Sequence, residues 1–218
     1  MKDKVVVLLS SGLDSTVNLL QAVKEDEVLA AINIDYGQRA AKNERASAKA
    51  VASSLEIPLI EFSLDIFKSF DKNSLTNSDI SLATNMDIND LAACKETAKN
   101  VWVPNRNGVF LNLAAAVAEN LGAKYVIPGF NKEEAATFPD NSKDYMAALD
   151  KAFAFSTQNG VKVKCYTVDM AKPEIYQLGL SLGMNEKTLW YCYENGEKPC
   201  GACESCLRFE NAKSQGAK

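Results

Sequence analysis

The stretch Val5-Val6-Val7-Leu8-Leu9-Ser10-Ser11-Gly12-Leu13-Asp14-Ser15-Thr16 decides the fold. Its apolar half reads as a short strand. Its second half is a turn of small residues leading into a helical pattern that begins after Asp14 and runs to about Lys24. Several backbone N–H groups of such a turn can point into one concavity. At a helix N-terminus those amides and the helix dipole favour a phosphate or pyrophosphate without any lysine. The chain has neither G-x-x-x-x-G-K-[ST] nor G-x-G-x-x-G, so the Walker and dinucleotide fingerprints do not apply. From the residues alone, Asp14 or Ser15 is equally readable as a plain helix N-cap.

Outward from this turn, strand-like runs alternate with helical ones, which predicts an α/β fold with a doubly wound, parallel, five-stranded sheet. The strands are expected near Val5 to Leu9, Val28 to Ile34, Leu59 to Phe62, Tyr125 to Ile127 and Val161 to Tyr166. Further helices are expected over about Ala40 to Leu55, Val109 to Leu121, Lys143 to Phe155 and Pro173 to Leu182. Pro173 suits a first helical turn and Gly183 a stop. The second strand ends in Asp35-Tyr36-Gly37-Gln38-Arg39, on the edge where ligands of open α/β sheets sit. Residues 63–107 have weak periodicity and many Ser, Asn, Asp and Thr, a long excursion of the kind that covers a site or runs exposed. A boundary is drawn near Thr188, giving residues 1–187 as the α/β domain and 188–218 as a C-terminal segment.

Composition narrows the chemistry. The 218 residues, 47% hydrophobic, suffice for one core and a small appendage. Apolar runs are far short of the roughly 20 residues of a membrane span, and the N-terminus does not read as a secretory signal, so no membrane partner is expected and a cytoplasmic location is. A net charge of −4 with dispersed Lys and Arg disfavours nucleic acid and favours a small ligand. There is no histidine, which excludes a Ser-His-Asp triad, a histidine base and any His-containing metal site.

Cys192, Cys200, Cys203 and Cys206 form C-x7-C-x2-C-x2-C, with Gly196, Pro199 and Gly201 allowing tight turns. Four thiolates close a tetrahedral zinc site of structural type, and such a site supplies on the order of 10 kcal/mol or more of folding energy. An iron–sulfur cluster is the rival reading, but there the fourth cysteine follows after three residues and precedes proline, whereas Leu207 and Arg208 follow here. Cys94 and Cys165 read as ordinary interior or loop residues.

Ser10 to Thr16 resembles the SGGxDS signature of PP-loop ATP pyrophosphatases, with Ser11 where glycine is usual. If the backbone there has positive φ, a serine costs roughly 1 kcal/mol. The whole chain resembles the 7-cyano-7-deazaguanine synthase family. The match rests on the PP-loop, the DYGQ turn, Pro104-Asn105-Arg106-Asn107, Gly129-Phe130-Asn131, Phe138-Pro139-Asp140, Lys172-Pro173-Glu174-Ile175, Cys192-Tyr193 and the terminal cysteines with Leu207-Arg208. That family commonly has Cys-Arg where Asn141-Ser142 stands, and Asp where Glu134 stands.

The resemblance implies an adenine nucleotide alpha hydrolase-like fold with a small zinc nodule. The implied reaction is ATP-dependent ligation of 7-carboxy-7-deazaguanine and ammonia into the 7-nitrile, through an acyl-adenylate and an amide, in queuosine biosynthesis. ATP would be a substrate, Mg2+ a cofactor, one Zn2+ per chain structural, and the assembly a homodimer. Asp14, Arg106 and Lys172 would be catalytic, with Lys132 a further candidate cation. The nucleotide would be held by Leu9, Ser10, Ser11, Gly12, Leu13, Asp14, Ser15, Thr16, Val17, Asn18 and Leu19, with Tyr36 and Gln38. The heterocycle would meet Asn107, Gly129, Asn131, Glu134, Phe138 and Asp140. Two alternatives stand beside this reading, a PP-loop tRNA-modifying enzyme such as a thiolase and a protein-conjugation module that keeps the fold and nodule.

Overall fold

The computed structural model describes residues 2–216. Five strands, β1 (Lys4–Leu8), β2 (Glu27–Asp35), β3 (Leu59–Ser63), β4 (Tyr125–Ile127) and β5 (Lys162–Val163), form one parallel sheet in the order β3-β2-β1-β4-β5. The helices are α1 (Leu13–Glu25), α2 (Ala41–Ser54), α3 (Leu91–Val101), α4 (Arg106–Leu121), α5 (Lys132–Ala135), α6 (Lys143–Ser156), α7 (Lys172–Ser181) and α8 (Glu204–Gly216). Alternation along β1 builds both faces of the sheet. Val5 and Val7 pack in a core with Leu19 and Ala22 of α1 and Ala48, Val51 and Ala52 of α2. Val6 packs in another with Leu111, Ala114 and Ala118 of α4 and Leu149 and Phe153 of α6. The doubly wound expectation is met.

In this order the connections reverse direction between β1 and β4. The C-terminal ends of those strands, carrying Ser10-Ser11-Gly12 and Gly129-Phe130-Asn131, therefore flank the switch point, where open α/β sheets bind ligands.

Three boundaries differ from the sequence reading. The last strand is only Lys162–Val163, not Val161 to Tyr166: β4 is three residues long, and the amide of Tyr166 is already taken by Asn18 Oδ1 at 2.9 Å. α4 starts at Arg106 rather than Val109, because Asn105, after Pro104, takes a left-handed conformation (φ 51°) and starts the helix there. The C-terminal segment contains α8, which its polar composition hides. Phe209 and Ala212 of α8 pack with Leu13 and Val17 of α1 and Ile175 and Tyr176 of α7, so the segment shares a core with the PP-loop helix.

The 63–107 excursion is not a bare loop. A 3-10 turn (Asp65–Ser69) and α3 gather Phe67, Leu75 and Val103 around Tyr36 in a small buried cluster. It also joins the cysteine segment through an antiparallel bridge between Thr84 and Cys203 and an Asn85 amide donating to the Ala202 carbonyl at 2.9 Å.

Candidate active site

At the end of β1 the backbone of Ser11 has φ 66°, so the positive φ raised by the sequence is present. The strained serine is compensated. Its hydroxyl donates to the Ser10 and Glu44 carbonyls at 2.5 and 3.1 Å, and its carbonyl accepts from the Trp190 amide at 3.0 Å. The N-cap of α1 is Gly12, which has no side chain, and the first helical hydrogen bond runs from Thr16 N to Gly12 O at 3.1 Å. The amides of Leu13, Asp14 and Ser15 thus lack intrahelical acceptors and are available to an anion. The capping reading of Asp14 and Ser15 falls with this geometry.

Asp14 instead enters a buried ion network. Its Oδ2 lies 2.8 Å from Lys172 Nζ, which lies 3.0 Å from Glu134 Oε1, and Asn131 Nδ2 donates to the same Asp14 oxygen at 3.2 Å. The other oxygen, Asp14 Oδ1, is buried with no hydrogen-bond partner among the described residues. An unpartnered buried carboxylate oxygen is costly unless something binds it, so it is a ready ligand for a hard cation. Burial raises the Asp14 carboxyl above its ordinary range, with Lys172 pulling it back. Burial alone would lower Lys172, but Asp14 and Glu134 outweigh it and hold the ammonium firmly charged. The same cation overcomes burial at Glu134 and keeps that carboxyl low.

These groups open into a cavity of about 290 Å³. It is lined by Leu9, Ser10, Gly12, Leu13, Asp14 and Ser15, with Tyr36 and Gln38 from the turn after β2. Asn107, Gly129, Glu134, Phe138 and Asp140, with Arg106 and Lys172, also line it. Arg106 donates to the Tyr36 hydroxyl at 3.1 Å and sits over its ring. Burial pushes Asp140 up, offset by the nearby Arg106 charge.

Other predicted residues lie elsewhere. Val17 and Leu19 are fully buried in two different cores, and Thr16 is buried and does not line the cavity. The Asn18 amide donates to Thr167 Oγ1 at 2.6 Å. Val17, Asn18 and Leu19 pack into the interior, whereas Thr16 Oγ1, like Asp14 Oδ1, is buried with no hydrogen-bond partner among the described residues. Ser11 and Asn131 stand one layer behind the cavity wall. Asn131 accepts from the Glu134 amide at 2.9 Å, and with its bond to Asp14 it ties α5 to α1. Lys132 is exposed and does not line the cavity.

Gly129 is required for close approach. A Cβ there would sit 2.7 Å from Ser15 N and 2.8 Å from Ser15 Cα, backbone atoms of the PP-loop helix. Gly129→Ala is expected to lower stability by about 1–3 kcal/mol and to raise the KM for nucleotide severalfold. Urea denaturation and steady-state kinetics measure both, and an unchanged KM would contradict the placement.

The two departures from the family pattern have local explanations. Glu134 supplies the second carboxylate on Lys172. Ser142 caps α6, accepting from the Tyr145 amide at 3.2 Å and donating to the Pro139 carbonyl at 2.6 Å, while Asn141 lines the cavity.

Several cavity residues escaped the sequence reading. Trp102, from the end of α3, faces Phe138 with parallel rings whose centroids are 6.1 Å apart. Trp190, Tyr191 and Tyr193 bring the cysteine segment to the wall. Arg208 binds Glu204 at 2.8 Å and Glu133 at 3.5 Å.

Glu44, in the first turn of α2, was missed too. Burial pushes it up to about 7 from 4.5, against a 2.8 Å hydrogen bond from Gln38 and the charge of Arg106. The folded form therefore binds a proton that the unfolded chain releases. The stabilisation it gives is complete below about 4.5 and is lost as pH rises through about 7. Glu44→Gln is expected to flatten that part of the stability curve, as urea midpoints across the range would show; parallel curves would contradict the shift.

The four clustered cysteines place their Sγ atoms within 4.8 Å of one another, with Cys200 and Cys206 at 3.9 Å. A tetrahedral ion with metal–sulfur bonds of about 2.3 Å spaces its sulfurs about 3.8 Å apart. Amides of Glu194 and Cys200 donate to Cys192 Sγ at 3.4 Å, and that of Cys203 to Cys200 Sγ at 3.3 Å. Such bonds stabilise thiolates, so the cluster suits one thiophilic ion.

A family model described as queuosine biosynthesis protein QueC matches residues 4–215. A 7-cyano-7-deazaguanine synthase of Bdellovibrio bacteriovorus is 51% identical, covering 96% of this chain and 92% of that protein. One from Carboxydothermus hydrogenoformans is 44% identical, covering 97% and 98%. Among solved structures, the Methanococcus maripaludis U34-tRNA thiolase NcsA with its [4Fe-4S] cluster superposes with TM-score 0.51 at 17% identity, over 98% of this chain and 65% of that one. The Francisella tularensis NMN synthetase does so with TM-score 0.51 at 13% identity, over 99% and 87%. These distant structures bear on the fold alone.

Proposed function

The chain belongs to the queuosine biosynthesis protein QueC family, and from that premise we propose that it is an ATP-dependent carbon–nitrogen ligase that converts 7-carboxy-7-deazaguanine and ammonia to 7-cyano-7-deazaguanine. A carboxylate is a poor electrophile because its leaving group would be an oxide. Transfer of AMP to that oxygen makes it a good leaving group, and ammonia then gives the amide. Removing the amide oxygen repeats the problem, and a second ATP repeats the solution. The protein's share is orientation and charge stabilisation at the α-phosphate. The free amides of Leu13, Asp14 and Ser15 grip the triphosphate, Arg106 and Lys172 balance the charge of the reacting phosphate, and Asn107, Glu134, Phe138 and Asp140 line the heterocycle's end. One observation carries the reading: the phosphate-binding amides, the Asp14–Lys172 pair and these four residues meet in a single cavity.

Asp14 Oδ1 is the natural ligand for Mg2+, which when bound supplies charge neutralisation on the triphosphate. The cysteine cluster suits a structural Zn2+ held by Cys192, Cys200, Cys203 and Cys206. Residues 188–218 form the metal-binding segment and 1–187 the nucleotide-binding domain, joined by the shared core of α1, α7 and α8. We place the enzyme in the cytoplasm, where thiolates stay reduced, as a homodimer acting on small molecules without nucleic acid. Mass spectrometry after incubation with ATP, magnesium, ammonia and the carboxylated base is expected to show AMP, pyrophosphate and the nitrile. ADP and orthophosphate in their place would overturn the proposal.

A further inference from the structure

The reaction proposed above sheds protons from nitrogen at each stage, and this chain has no imidazole to accept them. Most carboxylates of the cavity are already committed. Asp14 and Glu134 bind Lys172, while Glu133 and Glu204 bind Arg208. Glu44 makes no ion pair among the described residues. Gln38 Nε2 donates to its Oε2 at 2.8 Å, which fixes the carboxyl while Oε1 has no hydrogen bond within the described residues. It lines the cavity next to the turn after β1, its own carbonyl accepting from the Ser11 hydroxyl at 3.1 Å. Asp140, the other cavity carboxylate without an ion pair among the described residues, accepts from Asn141 at 3.2 Å. The charged and titratable groups acting on Glu44 are Arg106 from α4, Asp35 at the end of β2 and the Tyr36 hydroxyl beyond it.

We propose that Glu44 is the general base that takes protons from the reacting nitrogen in both halves of the reaction, an assignment that rests on the ligase reading. In the first half its carboxylate takes a proton from ammonium, and the freed lone pair forms the C–N bond. The C–O bond to the phosphate breaks, its electron pair leaves with AMP, and the nitrogen's surplus proton passes to water. In the second half ATP adenylates the amide oxygen, pyrophosphate leaving and the first N–H proton passing to water, and Glu44 then takes the remaining N–H proton. That electron pair becomes the third C–N bond as the C–O pair leaves with AMP. No oxidant or reductant enters. Each time, the protonated carboxyl returns its proton to solvent. Its raised affinity for protons, close to neutrality, suits both steps.

The test uses Glu44→Gln, which keeps a side-chain oxygen for Gln38, beside Glu44→Asp. Pyrophosphate exchange dependent on 7-carboxy-7-deazaguanine, which reports adenylation, is expected to stay within about twofold of the parent, whereas nitrile formation at neutral pH falls about 100-fold. Glu44→Asp recovers part of that loss. At fixed total ammonium, below the ammonium pKa, the Gln variant should climb about tenfold per pH unit with free ammonia, while the parent levels off above about 7. Equal loss of exchange and synthesis would mark Glu44 as structural and overturn the assignment. So would parental synthesis with a parental pH profile in the Gln variant. A parent enzyme that shows no exchange with the carboxylated base would instead bring down the ligase reading beneath it.

Discussion

Replacing Asp14 by asparagine is expected to lower AMP release by about a hundred- to a thousandfold while leaving the fold standing. The side chain contributes a charged oxygen, Oδ1, that nothing in the described protein satisfies, so its value lies in what it binds. Folding loses less. Lys172 keeps Glu134 at 3.0 Å, so no buried ammonium is stranded, and the Asn131 and Lys172 donors can still reach the amide oxygen. Lys172→Met is the contrasting case. It strands Asp14 and Glu134 in one buried site without their cation, a loss of about 3–5 kcal/mol. The remaining carboxyls would then bind protons more tightly in the folded state, so stability of that variant should rise as pH falls. Nucleotide titration calorimetry and urea denaturation separate the two effects. If Asp14→Asn unfolds as readily as Lys172→Met, the aspartate is a structural counter-ion and the cation-binding role fails.

How much of this site the sequence revealed follows from how local each signal is. The turn of Ser10, Ser11 and Gly12 is open to two readings, an anion site and a plain helix cap, and the family resemblance chooses between them, while its position on the sheet edge follows from the alternating pattern. The contiguous run through Leu19 extends past the cavity lining, since a helix turns its residues to a new face within one turn: Val17 and Leu19 belong to separate cores. Lys172 and Asp14 stand 158 residues apart, and no periodicity joins them; the family resemblance implies a role for each, and only the fold pairs them. Glu44 carried no motif, because its properties come from burial against Gln38 and Arg106, which exist only after folding. Trp102 lay in a stretch whose polar composition read as a covering loop, and only the packing of Phe67, Leu75 and Val103 around Tyr36 turns it into a cavity wall. The polar surface of α8 hid it equally well, its helix being held by Phe209 stacked on Tyr191 and packed against Tyr176.

Removing the Zn2+ proposed for the cysteine cluster, or replacing Cys203 by serine, is expected to cost the molecule its fold. A four-thiolate zinc site contributes on the order of 10 kcal/mol or more, against a total stability of about 5–15 kcal/mol for a domain. Burial cannot replace that contribution here: the cluster's own core is Ala40, Trp190, Cys192, Cys203 and Cys206. Nor would the damage stay local. Trp190 donates its amide to the Ser11 carbonyl, Arg39 pairs with Glu194 at 2.6 Å, and α8 shares its core with α1, so loss of the nodule withdraws support from the phosphate-binding turn. Chelation should therefore abolish nucleotide binding before the sheet itself unfolds, because the turn is strained at Ser11 while the strands of the sheet are not. Cys200, the one exposed thiol of the four, is where a chelator would first gain access. Following zinc release with a colorimetric dye alongside ATP affinity and far-ultraviolet circular dichroism tests the order of events. Apo-protein that keeps its nucleotide affinity would show that the turn stands without the nodule, and that the metal stabilises only the C-terminal segment.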